Sequence, residues 1–255
     1  MDSGPALQVR ASRNDGVYAA AKENPMTSNS NERFAAIESL LAERYSCRAF
    51  RPDPVPRETI EKILTTSQRT ASWCNSQPWQ IVITSGAETE RFRQVMIDAA
   101  TSDAAQAPDF PWPREYVGVY QERRRESGFQ LYNAVGIARG DREAYARQGL
   151  ENFRFFGAPH AAIVTTTEAL GVYGAVDCGG YVSTFLLAAQ ALGVATIAQA
   201  ALARRSDIVR KHFNLAEDRR VVCGISFGFA DHDRPINSYR TSRAALADVA
   251  TFAGE

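Results

Sequence analysis

The stretch AERYSCRAFRPDPVP, residues 42–56, gathers Arg44, Arg48 and Arg51 around Ser46, then runs into Pro52, Pro54 and Pro56 at alternate positions. It follows a segment that reads as a helix from near Asn31, with Phe34, Ile37, Leu40 and Leu41 on one face. Residues spaced by two share a face of an extended chain, so Arg44, Ser46 and Arg48 point one way. Tyr45, Cys47 and Ala49 point the other. Two guanidiniums and a hydroxyl on one spot suit a phosphate, because arginine offers its oxygens a planar fork of donors. From this stretch alone a plainer account is preferred: Arg44 complements the carbonyl end of the preceding helix and Arg48 is a solvated charge.

The totals narrow the field. A chain of 255 residues, 45% apolar, has room for a sizeable core in one or two globular domains. Lys plus Arg and Asp plus Glu both number 29, which gives no field built for nucleic acid or an anionic membrane. Cys47, Cys74, Cys178 and Cys223 are scattered with no C-x-x-C pair, which speaks for reduced thiols in a cytoplasm rather than a zinc site or disulfides. Three histidines make a multi-histidine metal centre improbable. Residues 1–30, rich in Ser, Asn and Ala, lack a continuous apolar core and carry Asp2, Asp15 and Glu23. They read as a disordered extension rather than a secretory segment, and Met26 is an alternative start. The apolar run 181–198 is broken by Ser183, Thr184, Gln190 and Gly193, which fits a buried helix and strand better than a membrane span.

Periodicity and punctuation predict the order of elements. Pro56 opens a helix that buries Ile60, Ile63 and Leu64. Residues 79–84 form a short strand ended by Ser85 and Gly86. An amphipathic helix covers 88–100, and Pro108, Pro111 and Pro113 then break the chain. The segment 114–156 is mostly helical and rich in arginine and aromatics. Its ERRRE run, residues 122–126, is a solvated face in the simplest reading. Strands follow at 161–167, 194–198 and 221–229, with a very apolar helix over 176–192 and a short one from Ser206 to 213. Residues 231–255 have no core periodicity. This mixture lacks a βαβ rhythm and is α+β. Neither G-x-G-x-x-G after a strand nor G-x-x-x-x-G-K-[ST] occurs, so side-chain arginines must do most of the holding if a phosphate binds.

Three further stretches bear on the opening one. SWCNSQPWQIV, residues 72–82, puts Asn75 and Gln77 before Pro78, and carboxamides on such a turn suit the edge of a heterocycle with carbonyl and N–H groups. The plain alternative is a turn whose amides bond their own backbone. GVATIAQAAL, residues 193–202, lets backbone approach a flat ligand and offers Gln199, or is simply a tight strand exit. NSYRTSR, residues 237–243, places Arg240 and Arg243 in the last segment, or is a basic surface tail.

In this order and at these separations the four stretches resemble the FMN-dependent nitroreductase family over roughly residues 31–252. The landmarks are R-x-S-x-R-x-F, N-x-Q-P-W, a long apolar helix ending in L-G, and a terminal arginine. YQERRRESGFQLYNAVGIARGD and NFRFFGAPHAAIV, residues 120–141 and 152–164, look most like the branch containing 4-nitrobenzoate reductases.

The resemblance implies that Arg44, Tyr45, Ser46, Arg48 and Arg243 hold the phosphate end of FMN. It implies that Asn75 bonds the polar edge of the isoalloxazine, and that the backbone of Ala198, Gln199 and Ala200 faces flavin N5. Many relatives carry Glu-Gly or Gly-Gly where this chain has Gln199-Ala200, a departure that bears on side-chain roles there more than on FMN binding. It also implies an α+β fold with a central, mainly antiparallel sheet, and an intertwined homodimer with residues 231–255 extended onto the partner. The implied activity is ping-pong reduction of nitroaromatics by NADH or NADPH, without a dedicated catalytic side chain. Other electron-poor acceptors, or a non-catalytic FMN sensor, are the alternatives. Trp73, Trp112, Tyr116, Phe129 and Tyr132 are candidates to line a substrate cavity. Arg114, Arg123, Arg124 and Arg125 are candidates to meet a substrate carboxylate.

Overall fold

The structure, a computed structural model, describes residues 28–254, and the expected disordered leader falls outside them up to residue 27. The first element is helix α1 (Ser28–Glu43), which starts three residues before the expected Asn31. The chain divides into a unit ending at Glu38 and a unit of Ser39–Glu255, and it is the second that carries the sheet and the site.

Four antiparallel strands make that sheet, in the order β1 (Gln80–Ile83), β2 (His160–Thr167), β4 (Arg219–Gly228), β3 (Ala195–Gln199). The central strand β2, HAAIVTTT, is buried along almost its whole length, as a strand covered on both faces must be. On one face, helices α2 (Arg57–Ser67) and α6 (Gly171–Ala191) pack Ile60, Ile63, Tyr181 and Phe185 against Ala162, Val164, Ile225 and Phe227. On the other, α3 (Ala87–Thr101) and α7 (Ser206–His212) bring Phe92, Met96 and Val209 against Ile163, Val221 and Leu202. Gly224 of β4 permits that second layer: a Cβ there would stand 2.4 Å from Leu202 Cδ1.

The expected helix over 176–192 begins earlier, at Gly171. Gly171 and Gly174 look like breakers in sequence, but a Cβ at Gly174 would lie 2.6 Å from Thr166 Oγ1, so a small residue lets α6 lie close to β2. The inner face of α6 is buried through Cys178, Tyr181, Phe185 and Ala189, while Val172, Tyr173 and Val176 are exposed. By length and composition the run Glu168–Ala191 is apolar enough to cross a membrane, yet this inner face is the wall of the sheet's core. The insertion between α3 and β2 forms α4 (Gly118–Ala134) and α5 (Arg142–Leu150), the latter capped where Asp141 accepts the Ala144 N–H at 2.9 Å. No side chain of α4 is buried.

The segment after α1 extends the sheet. Ser46 bridges Thr196 of β3 in parallel, the Cys47 N–H donates to Thr196 O at 3.0 Å, and the Arg51 N–H donates to Phe229 O at 2.8 Å. Cys47 is fully buried beneath it, so the neighbouring positions are held at the surface.

Candidate functional site: an arginine cradle on the sheet edge

Arg44, Tyr45, Ser46 and Arg48 border one cavity of about 390 Å³, together with Tyr239, Arg240, Thr241 and Arg243 from the tail. The proposed neighbours from opposite ends of the sequence therefore meet. Tyr45 is a correction to the alternation, which sends it to the opposite side from Ser46. Residues 45–47 touch β3 through an isolated bridge rather than a ladder, so strict two-residue alternation does not hold there.

The tail is brought to this place by a side chain that the sequence did not single out. Buried Asn237 accepts the Arg48 N–H at 2.8 Å through Oδ1, and its Nδ2 donates to Ala49 O and Asp231 O at 2.8 Å each. Arg240 then lies over the Tyr45 ring, its Cζ 3.7 Å from the centroid, and donates to the carbonyls of Asn237 and Tyr239. Arg48 donates to Ser46 O at 3.1 Å, and Arg243 to the oxygens of Thr241 and Ser242.

The electrostatics of the cradle are unbalanced. Among the described residues that border it there are four guanidiniums and no carboxylate. Burial, and then the nearby positive charge of Arg243, make the Arg44 guanidinium easier to deprotonate than an ordinary arginine. The hydroxyls of Tyr45 and Tyr239 are buried; that of Tyr45 lies beside the Cys47 thiol, and that of Tyr239 has no hydrogen-bond partner among the described residues. Like charges gathered beside an unpartnered hydroxyl suit an anion rich in acceptor oxygens. A phosphate ester, as in FMN, fits this donor set.

The other two candidate contacts are placed differently. Gln199, at the end of β3, is buried, and its carboxamide is engaged inside the protein: Nε2 donates to Asn152 O at 2.8 Å and Oε1 accepts from the Ser226 hydroxyl. The side chain thus serves the fold, leaving the backbone of Ala198, Gln199 and Ala200 as what this loop can offer a ligand. Asn75 is exposed at the far end of the sheet, in a loop where Cys74, Asn75 and Gln77 all have left-handed φ values of 51°, 55° and 46°. Its Oδ1 accepts from Gln77 Nε2 at 3.2 Å. Asn75 borders no cavity with the arginines. From the level of Thr196, opposite Phe227, to Arg219 beside that loop, β4 runs roughly 26 Å at ~3.3 Å per residue.

The aromatic candidates scatter. Trp73 packs edge-on against Tyr173 at 4.5 Å, and Tyr132 against Tyr145 at 4.3 Å, while Trp112, Tyr116 and Phe129 are exposed. Of the arginines in the insertion, Arg124 stands 5.2 Å over Tyr116, and Arg123 borders a second cavity, of about 480 Å³, that it shares with Arg243 and Thr241.

The sheet, the cradle and the order of landmarks define a flavoenzyme-type scaffold, and comparison with known proteins gives it a family. The chain belongs to the nitroreductase family, whose pattern matches residues 41–229. It is 37% identical over 219 residues to nitroreductase NfnB of Mycolicibacterium smegmatis, covering 85% of this chain and 92% of that protein. It is 30% identical over 218 residues to a 4-nitrobenzoate reductase of Pseudomonas putida, covering 86% of this chain and 96% of that one. Among solved structures it is similar to the FMN-dependent nitroreductase NfnB from Mycobacterium smegmatis in complex with NADPH, with a TM-score of 0.83 and 36% identity. That match covers 87% of this chain and 99% of the other. The family match stops at 229, so the place of Arg240 and Arg243 rests on the geometry of the cradle.

Proposed function

We propose that this protein is an FMN-dependent NAD(P)H oxidoreductase that reduces nitroaromatic compounds, and that it acts as a cytoplasmic homodimer. The observation that carries the reading is the cradle: four arginines and two tyrosines with no acid among them, in a chain of this family. Arg44, Ser46, Arg48, Arg240 and Arg243 hold the phosphate, and Tyr45 closes its side. A dianion there relieves the repulsion between Arg44 and Arg243. Bound there, FMN would supply the redox chemistry between NAD(P)H and the acceptor. The backbone of Ala198, Gln199 and Ala200 lines the ring, kept in place because Gln199 is tied to Asn152 and Ser226.

Three features support the dimer. The outer face of α6 exposes Val172, Tyr173 and Val176, and the tail exposes Leu246, Val249 and Phe252. Apolar surface of this extent on two elements favours burial against another chain. The third is distance: the loop bearing Asn75 lies too far from its own chain's cradle to share one mononucleotide with it, so a complete site draws the two from different subunits. Arg123, beside the cavity that Arg243 borders, gives an acceptor carboxylate a cation to meet.

The test is an anaerobic acceptor screen on the purified protein, with light scattering on the same sample. Expected are a yellow dimer, sustained oxidation of NADH or NADPH only with an acceptor present, and a higher kcat/KM for 4-nitrobenzoate than for nitrobenzene. A protein that shows no flavin spectrum after incubation with FMN ends the proposal. Quinones or free flavins outrunning every nitroarene by orders of magnitude would replace the acceptor class, and a stable FMN-loaded monomer would end the two-subunit site.

A further inference from the structure

The loop 72–79, which bears Asn75, is held from both sides by charged groups that have no ion-pair partner among the described residues. At its start, the Trp73 N–H donates to Asp177 of α6, 3.2 Å from each carboxylate oxygen. At its end, Arg219 of β4 donates from Nη2 to Pro78 O at 3.2 Å, while the same guanidinium holds Thr165 of β2 through O at 2.8 Å and Oγ1 at 2.9 Å. Arg219 is 8% exposed, and burial disfavours its charge. Asp218 is a nearby opposite charge, but the hydrogen bonds of Arg219 go only to carbonyl and hydroxyl oxygens, a costly setting for a buried cation unless its donors are needed where they point.

The loop itself explains that need. Three of its residues sit in the left-handed region, which Asn tolerates and Cys and Gln adopt rarely. The internal braces are all local: the Asn75 N–H donates to Ser72 O and the Ser76 N–H to Trp73 O at 3.0 Å each, the Gln77 N–H donates to Ser72 Oγ at 2.9 Å, and Gln77 Nε2 reaches back to Asn75. A strained loop persists only when its surroundings over-determine it. Asp177 and Arg219 supply that from two different elements, α6 and β4, both anchored in the sheet's core.

We propose that Asp177 and Arg219 are positioning residues, a two-point clamp that fixes the loop 72–79 in the conformation in which Asn75 meets the polar edge of the cofactor ring. The inference rests on the FMN reading above, and deepens it by naming groups outside the cradle that govern how the ring is met. Neither residue touches the cofactor in this account. The acidic clamp takes a backbone N–H and the basic clamp a backbone carbonyl, so each acts on the chain rather than on a side chain.

The experiment uses the full-length protein and compares wild type with Asp177→Ala, Asp177→Asn and Arg219→Lys. Two quantities are read: amide hydrogen exchange across 72–79 in the FMN-free protein, and the Kd for FMN by quenching of its fluorescence. Asp177→Ala is expected to speed exchange at 73–77 and to weaken FMN, each by about tenfold, the equilibrium weight of one charge-assisted hydrogen bond. Exchange in β2 and β4 should not change. Asp177→Asn keeps an acceptor oxygen and should restore both to within about threefold, which a loss of fold would not allow. Should Asp177→Ala not fold, Arg219→Lys carries the comparison, because it keeps the charge and loses the fork, and should loosen 77–79 and weaken FMN together. Unchanged loop exchange, or faster exchange with a wild-type Kd, overturns the clamp. Wild-type protein that binds no FMN defeats the functional reading instead, and is told apart because the exchange is measured without FMN.

Discussion

The molecule has two arginine clusters built to opposite rules. In one, Arg210 forms a fork on Asp109, with Nη2 and Nη1 at 2.9 and 3.0 Å from the two carboxylate oxygens. Arg220 stands 3.7 Å from the same carboxylate, and the Val221 N–H donates to it at 2.7 Å. In the other, Arg44, Arg48, Arg240 and Arg243 face a cavity with no carboxylate on its walls. Burial raises the Asp109 carboxyl, but Arg210, the Val221 N–H and Arg220 outweigh it and hold the group below the usual aspartate range. The cradle has the reverse signature, an arginine made less basic by burial and by another arginine. What neutralises an arginine, rather than how many arginines lie together, separates a structural network from a binding site.

The largest expected effect tests the first cluster. Asp109→Ala should cost about 3–5 kcal/mol of stability, because it leaves Arg210 half-buried without its counter-ion and the Val221 N–H without its acceptor. Asp109 anchors the proline-rich stretch around residues 108–113 to β4 and α7, so the loss should appear as a lower midpoint in urea unfolding of FMN-free protein. A loss below about 1 kcal/mol would put this network in the class of weak surface pairs and erase the contrast.

Next in size comes the mirror experiment on the cradle. Arg48→Ala and Arg243→Ala should each weaken FMN binding by about 1.5–3 kcal/mol, or one to two powers of ten in Kd. Stability of the FMN-free protein should move by no more than about 0.5 kcal/mol, and upward for Arg243→Ala, since Arg44 is relieved of a like charge. If Arg243→Ala destabilises the empty protein as strongly as Asp109→Ala does, the cradle is structural and the comparison collapses.

Part of this was legible in the sequence, for identifiable reasons. R-x-S-x-R was legible as a set of neighbours, since Arg44, Ser46 and Arg48 border one cavity, but the alternation expected of an extended chain fails at Tyr45, where a single bridge from Ser46 to Thr196 replaces a ladder. The strands at 161–167, 194–198 and 221–229 lie within two residues of β2, β3 and β4, because their composition is local information. The strand order β1-β2-β4-β3 is not local, and no feature of single segments specified it. Asn237 was invisible as a staple because its partner Arg48 lies 189 residues away. The carboxamide of Gln199, expected to offer a polar contact, is engaged by groups 27 and 47 residues distant. Ser206 illustrates the same limit: it opens α7 as expected, but its hydroxyl donates to Ala203 O and accepts from the Asp109 N–H, 97 residues away in the sequence.

A third kind of buried polar group sharpens the contrast, since it is neither paired with a charge nor waiting for one. His160 is 2% exposed, and its two ring nitrogens are both committed. Nε2 lies 3.0 Å from the Val55 N–H, which can only donate, so Nε2 carries the lone pair and the proton sits on Nδ1, 3.0 Å from Thr84 O. Burial lowers the affinity of the ring for a second proton, and the Thr84 carbonyl offsets this only in part. In the unfolded chain the ring titrates near the ordinary 6.5; in the folded protein it titrates lower. At higher pH both states are neutral and the folded form keeps its full advantage. As pH falls below 6.5 the unfolded chain takes up the proton first, and stability is lost until the folded ring is protonated as well. The slope is at most about 1.4 kcal/mol per pH unit, the smallest of the three effects. His160→Gln, which can still accept from Val55, should flatten the fall in unfolding free energy measured between neutral and mildly acidic pH. Equal slopes in the two proteins would mean that the ring charges as freely inside the fold as outside it, and that its hydrogen bonds do not hold it neutral.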